Sequence, residues 1–154
     1  MRIVNPEYIR RIDEFANRCP YFGLLSMRIL EVGIGYSVIG IEVAQKHLQP
    51  FGKVHGGVFA SILDAAAFWS VYYDLEEADG LTTVDLKLNY LAPASAGMLI
   101  AKGRRIKTGK TLGYAEVEVA NGEGKVLAHG TSTVIVLPGK APVLDPPLPP
   151  KFLS

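Results

Sequence analysis

The sequence predicts an α+β fold in which a six-stranded antiparallel sheet curls around one central helix. Three observations carry this expectation. Six segments have the composition of strands, and short turns join successive ones, which pairs neighbours antiparallel. A single stretch, from Gly57 to about Tyr73, reads as a helix with apolar residues all round, the mark of a helix enclosed by other structure. The order ββ-α-ββββ also lacks the alternation of a parallel βαβ fold.

Each element has its own local reason. Residues 6–18 are expected to form an amphipathic N-terminal helix, with Tyr8, Ile9, Ile12, Phe15 and Ala16 apolar at helical spacing. Asn5 is placed to cap it, Pro6 suits its first turn, and Pro20 ends it. Leu25–Val32 and Tyr36–Ala44 read as strands around the turn Gly33-Ile34-Gly35, the second rich in β-branched Val38, Ile39, Ile41 and Val43. The polar loop Gln45–Lys53 leads to the central helix. Leu81–Leu91, Met98–Lys107, Thr111–Ala120 and Val126–Leu137 complete the sheet. Leu86, Leu88 and Tyr90 alternate with Asp85, Lys87 and Asn89, so that strand has one wet face. Thr108-Gly109-Lys110 and Asn121-Gly122-Glu123-Gly124 have hairpin chemistry. Residues 1–137 therefore read as one domain. The extension 138–154, with Pro142, Pro146, Pro147, Pro149 and Pro150, cannot enter a sheet interior and reads as an extended or disordered end able to lie along a neighbour.

Composition narrows the function classes. A chain of 154 residues buries roughly 70% of its unfolded surface. Its 49% hydrophobic and 20% charged residues leave more apolar surface than a solitary monomer needs, which oligomerisation explains. A net charge of +1 gives no broad field for nucleic acid or anionic lipid. The start, MRIVNPEYIRRIDEF, has charges where a signal peptide needs an apolar core, and the run Val58–Tyr73 is short for a membrane span and carries Asp64. A soluble cytoplasmic protein, without membrane or nucleic-acid partner, is the expectation. The single Cys19 excludes an internal disulfide, and His47, His55 and His129 lack a metal-ligand spacing.

Two familiar motifs fail. Gly103 to Thr111 has five residues between its glycines where a P-loop needs four, and a strand follows it. No Gly-x-Ser-x-Gly elbow is present. What survives is Gln49, His55-Gly56-Gly57 and Asp64, all within sixteen residues. Glycines ahead of a helix permit close backbone approach and offer unpaired N–H groups to an anion or a developing oxyanion. Asp64 is the only charged residue between Val54 and Tyr73, a costly setting for a carboxylate without partners or a task. Taken singly, these residues have ordinary roles as a helix cap and a bonded carboxylate. Together they point to acyl transfer.

The stretch Gln49-Pro-Phe-Gly-Lys-Val-His55-Gly56-Gly57, followed by Asp64, resembles the hotdog-fold acyl-CoA thioesterases of the PaaI type. In that family an Asn or Gln stands six residues before the His of a His-Gly-Gly turn, and an Asp or Glu nine residues after it. The resemblance runs on through Thr83-Val84-Asp85 to Asn89-Tyr90-Leu91-Ala92-Pro93-Ala94, Thr108-Gly109-Lys110-Thr111-Leu112 and Gly124 to Gly130. It covers about residues 24–137. It implies hydrolysis of an acyl- or aryl-CoA, with Asp64 as nucleophile or general base and the Gly56 N–H, helped by Gly57, as oxyanion donor. Gln49 would orient the carbonyl or the water. Phe68 stands where certain relatives carry a hydroxyl, and Thr83 matches a Ser or Thr used elsewhere in the family. Tyr90, Lys107, Gly109, Lys110 and Thr111 are the candidate contacts to coenzyme A, which is part of the substrate, with the turn's Arg104, Arg105, Lys107 and Lys110 able to meet its phosphates, although that turn reads equally as an ordinary solvated hairpin; no separate cofactor and no metal are implied. Phe59, Phe68, Trp69 and Tyr72 are available to an acyl pocket, although core packing is their ordinary role.

Helix geometry adds a constraint. Eight residues at about 1.5 Å each separate Gly56 from Asp64 by about 12 Å. An oxyanion donor must lie at ~3 Å, so one helix does not readily supply both groups to one carbonyl. A homodimer is therefore the minimal active unit, and the family's pairing of dimers implies a homotetramer. The alternatives are a non-catalytic acyl-CoA-binding or sensing module and, more weakly, a hotdog dehydratase, which pairs His with an acid at longer spacing.

Overall fold

A computed structural model describes residues 1–154. Its order is β1 (Ile3–Val4), α1 (Pro6–Asn17), α2 (Pro20–Leu25), β2 (Met27–Gly33), β3 (Tyr36–Glu42), a 3-10 turn (Gln45–His47), α3 (Gly56–Tyr72), β4 (Gly80–Tyr90), β5 (Met98–Thr108), β6 (Leu112–Ala120), β7 (Val126–Leu137) and β8 (Phe152–Leu153). The six long strands form one antiparallel sheet in the order β2-β3-β5-β6-β7-β4, with β2 and β4 at its edges. This is the hotdog arrangement expected from the sequence.

The sheet's inner face and α3 make the core. Ile62, Leu63, Ala66, Ala67 and Val71 of α3 are fully buried, as are Ile39, Ile41, Leu99, Ala101, Val117 and Val119 of the sheet. Small residues set how closely the layers approach. A Cβ at Gly103 on β5 would run into the Ala66 carbonyl oxygen, and Ser37, opposite Gly103 on β3, donates its hydroxyl to that oxygen at 2.6 Å. Apolar residues all round α3 thus reflect enclosure by the sheet on one side and by α1, α2 and the tail elsewhere.

Edge strand β4 carries a bulge at Val84, where its register against β7 shifts between Thr83 and Asp85. Strict alternation would put Thr83 on the wet face with Asp85 and Lys87. The extra residue turns it to the helix side instead, in line with the half-buried Leu86 and Leu88.

Three local features go beyond the expectations. Pro20 does not merely end α1; it occupies the first turn of α2, where its missing N–H costs nothing. The chain start contributes β1. The proline-rich tail runs extended along its own chain: β8 pairs with β1, Asn5 N–H donates to Lys151 O at 2.9 Å, and the Asn5 side chain reaches Pro150 O at 2.9 Å. Lys151 is fully buried. Its Nζ donates to Tyr72 O at 2.8 Å and Leu75 O at 2.9 Å, closing the C-terminal end of α3. Burial lowers the Lys151 ammonium to about 8, and the Tyr72 ring lies 4.5 Å beneath it.

Candidate active site

His55 sits at the N-cap of α3 in extended conformation, φ −63 and ψ 139. Its Nδ1 accepts the Gly57 N–H at 2.8 Å, and its carbonyl accepts the Val58 N–H at 2.9 Å. The Gly57 donor expected to assist an oxyanion is thereby occupied. Gly56, first residue of the helix, is left as the one of these three N–H groups without an acceptor in the chain. His55 itself is exposed and serves as the cap. The Tyr90 hydroxyl donates to the Gly56 carbonyl at 3.1 Å, and the Tyr90 ring meets Phe59 edge-on at 6.1 Å.

Gln49 closes a turn beside them. Its N–H donates to Lys53 O at 2.7 Å and its carbonyl accepts the Gly52 N–H at 2.9 Å. Its side-chain Oε1 accepts the Phe51 N–H, which leaves the amide NH2 as the free end. Gln49, Gly56, Phe59, Tyr90 and Pro93 line one cleft of about 520 Å³.

Asp64 opens onto a different cleft, of about 500 Å³, walled by Tyr21, Phe22, Met27, Phe68, Trp69 and Leu86. The carboxylate is half-buried, less enclosed than its apolar neighbours in sequence imply. Thr83 Oγ1 donates to Asp64 Oδ1 at 2.8 Å, a contact that the β4 bulge makes possible. Above it, the Ser61 hydroxyl donates to Gly57 O at 2.8 Å, which leaves Tyr21 as donor in the 2.6 Å bond between the Tyr21 hydroxyl and Ser61 Oγ. Phe68 lies edge-on to Trp69 at 5.0 Å and stacked on Tyr72 at 6.1 Å. Tyr72 is buried in the core, and Phe59 belongs to the other cleft.

The chain thus brings Gln49, Gly56 and Tyr90 together, and separately Asp64 and Thr83. No residue lines both clefts. The basic hairpin is elsewhere again. Lys107, Gly109, Lys110 and Thr111 are exposed near the C-terminal end of α3, about 24 Å along the helix from Gly56. There Asp74 accepts Arg105 at 3.0 Å and Thr108 at 2.7 Å, and Glu76 and Asp79 share the cleft with Lys110. Within one chain these residues do not join Tyr90. Tyr21, Phe22 and Ser61 were not legible as site residues. Pro20 at a first helical turn was the available signal for α2, which carries two of them.

A profile of the thioesterase superfamily matches residues 51–128, just over half of the chain. A 1,4-dihydroxy-2-naphthoyl-CoA hydrolase of Listeria monocytogenes is 29% identical over 73% of this chain and 91% of its own. The acyl-coenzyme A thioesterase 13 of Mus musculus is 30% identical over 60% of this chain and 67% of its own. Among solved structures, a thioesterase from Haemophilus influenzae superposes with a TM-score of 0.79 at 20% identity, covering 86% of this chain and 92% of that one. A variant of the phenylacetic acid degradation protein PaaI from Thermus thermophilus does so at 0.69 with 26% identity, covering 75% and 97%.

Proposed function

The chain belongs to the thioesterase superfamily, and we propose that it hydrolyses the thioester of an acyl- or aryl-CoA at sites shared between two copies of itself. One observation carries the shared site: the free Gly56 N–H and the Thr83-held Asp64 open onto separate clefts of the same chain. A carbonyl in contact with both takes Gly56 from one subunit and Asp64 from the other.

The chemistry follows from the groups. A thioester carbonyl set against Gly56 N–H gains negative charge on oxygen as the new C–O bond forms. The N-terminal end of α3 adds its positive dipole end to that donor. The Gln49 amide NH2, fixed by the bond to Phe51, orients the carbonyl or the attacking water. Asp64 either takes a proton from water as it attacks or attacks directly to form an anhydride that water then opens. In both routes the C–S bond breaks, the thiolate of coenzyme A leaves and is protonated, and the acyl group departs as carboxylate. Thr83 holds the Asp64 carboxylate toward the cleft. Lys107 and Lys110 supply positive charge for the phosphates of coenzyme A, from whichever subunit presents them to the site. A homodimer is the smallest active unit, and a pair of dimers is the proposed assembly.

Hydrolysis of a panel of acyl- and aryl-CoAs by the wild type and Asp64→Asn tests the reading. The substitution is expected to lower kcat by ~100–10,000-fold. Equal rates would remove Asp64 from the chemistry, and acyl-CoA binding without any turnover would make the protein a binding module.

A further inference from the structure

The Asp64 cleft ends at a wall, and behind the wall is a second apolar space. This second cleft, of about 490 Å³, is lined by Phe15, Ala16, Arg18, Cys19 and Pro20 together with Phe22 and Trp69. Phe22 and Trp69 also line the Asp64 cleft, so these two side chains stand between the spaces. We infer that Phe22 and Trp69 form the partition that sets the length of the acyl group, and that α1 and α2 are the specificity-determining part of the chain. The inference rests on the acyl-CoA reading above.

The geometry runs in one direction. Ser61, Asp64, Ala65 and Phe68 follow one another at helical spacing along one side of α3 and all line the first cleft. Trp69 lies five residues beyond Asp64, about 7.5 Å along the axis. An acyl group whose carbonyl sits at Asp64 therefore points its tail at Phe22 and Trp69. The near space is polar only at the Asp64, Ser61 and Tyr21 end, and its far end is aromatic and aliphatic. It suits a compact apolar acyl group, a short chain or one aromatic ring. Phe22 is nearly buried and held in the hydrophobic core, so it is a fixed wall rather than a loose flap. The second space, by contrast, is lined by Cys19, a half-buried free thiol, and by the exposed Phe15. Both α1 and α2 lie outside residues 51–128, the segment matched by the superfamily profile.

The test is a length series of saturated acyl-CoAs, read as kcat/KM and, in parallel, as Kd with the same thioesters. Wild type should gain about fourfold per methylene until the tail meets the partition, and then lose the gain. Phe22→Ala and the gentler Phe22→Leu should move that limit to longer chains, so that kcat/KM and affinity keep rising with chain length beyond the wild-type limit. Cys19→Phe added to Phe22→Ala refills the second space and should return the limit toward wild type. A folded Phe22 variant with an unmoved limit overturns the partition while leaving the hydrolase reading intact. If Phe22→Ala does not fold, Phe22→Leu and Trp69→Leu decide by the same criterion. Absence of turnover for every thioester would defeat the hydrolase reading instead; the Kd series then decides the partition by whether the Phe22 variants extend it.

Discussion

Thr83 is the residue whose role depends most on its neighbours. Its hydroxyl donates to Asp64 at 2.8 Å, and a hydrogen bond to a charged group is worth about 1.5–3 kcal/mol. If that orientation is needed in the transition state, Thr83→Val should lower kcat by about tenfold or more with little change in KM, and Thr83→Ser should recover most of it. A second residue reports on stability rather than catalysis. Asp13 on α1 has a buried oxygen without a hydrogen-bond partner, and burial raises its carboxyl to about 6. An acid raised in the fold is protonated there over a range in which the unfolded chain has already lost its proton. Its contribution to stability therefore falls as pH rises from about 4 to about 6, and stays low above that. Asp13→Asn should show a higher Tm than wild type at pH 7–8, with the difference shrinking toward pH 4; thermal melts across that range check it. Asp64 and Gly56 were legible as residues because a lone carboxylate and a glycine pair stand out against an apolar helix. The Thr83–Asp64 contact was not derivable from spacing, since period-two alternation puts Thr83 on the wrong face and only the bulge at Val84 corrects it.

Among the elements, the tail carries the clearest consequence. Lys151 satisfies two carbonyls at the end of α3, Tyr72 O and Leu75 O, from a fully buried position. Lys151→Met keeps the bulk and removes both donors, so it should cost about 2–4 kcal/mol, measured by urea unfolding. The pH dependence has a definite sign. A lysine lowered to about 8 binds fewer protons in the fold than in the unfolded chain between about 8 and 10.5. Its contribution to stability rises with pH across that window, and the variant should lack that rise. The six sheet strands and α3 appear within a few residues of their expected bounds because each carries its own periodicity and turn chemistry. By contrast, α2, β1 and β8 are too short to show a period. Their stability comes from partners distant in sequence, as when Ile3 pairs with Leu153.

At the scale of the whole molecule, the separation of the two clefts makes the proposed enzyme dependent on assembly. Gly56→Pro removes the free N–H at a first helical position after a His55 already extended at ψ 139, and its Cβ, 2.9 Å from the Tyr90 hydroxyl, displaces that side chain. Alone, it and Asp64→Asn should each be nearly inactive. Mixed after dissociation and reassociated, they should recover about a quarter of wild-type turnover, because half the dimers are mixed and each mixed dimer holds one intact site of two. No recovery in folded, mixed dimers would place both groups of a working site in one chain. By itself, the sequence determined the fold class, the central helix, the strand order along the chain and the choice of Gly56 and Asp64 as candidate site residues, since these depend on local periodicity and on residues written next to one another. Only the tertiary structure decided that Thr83 faces Asp64, that Gly57 is spent on His55, that the tail caps α3 and that Phe22 and Trp69 divide two apolar spaces. Those features join segments far apart in the chain, and a linear pattern carries no information about which distant surfaces meet when the core closes.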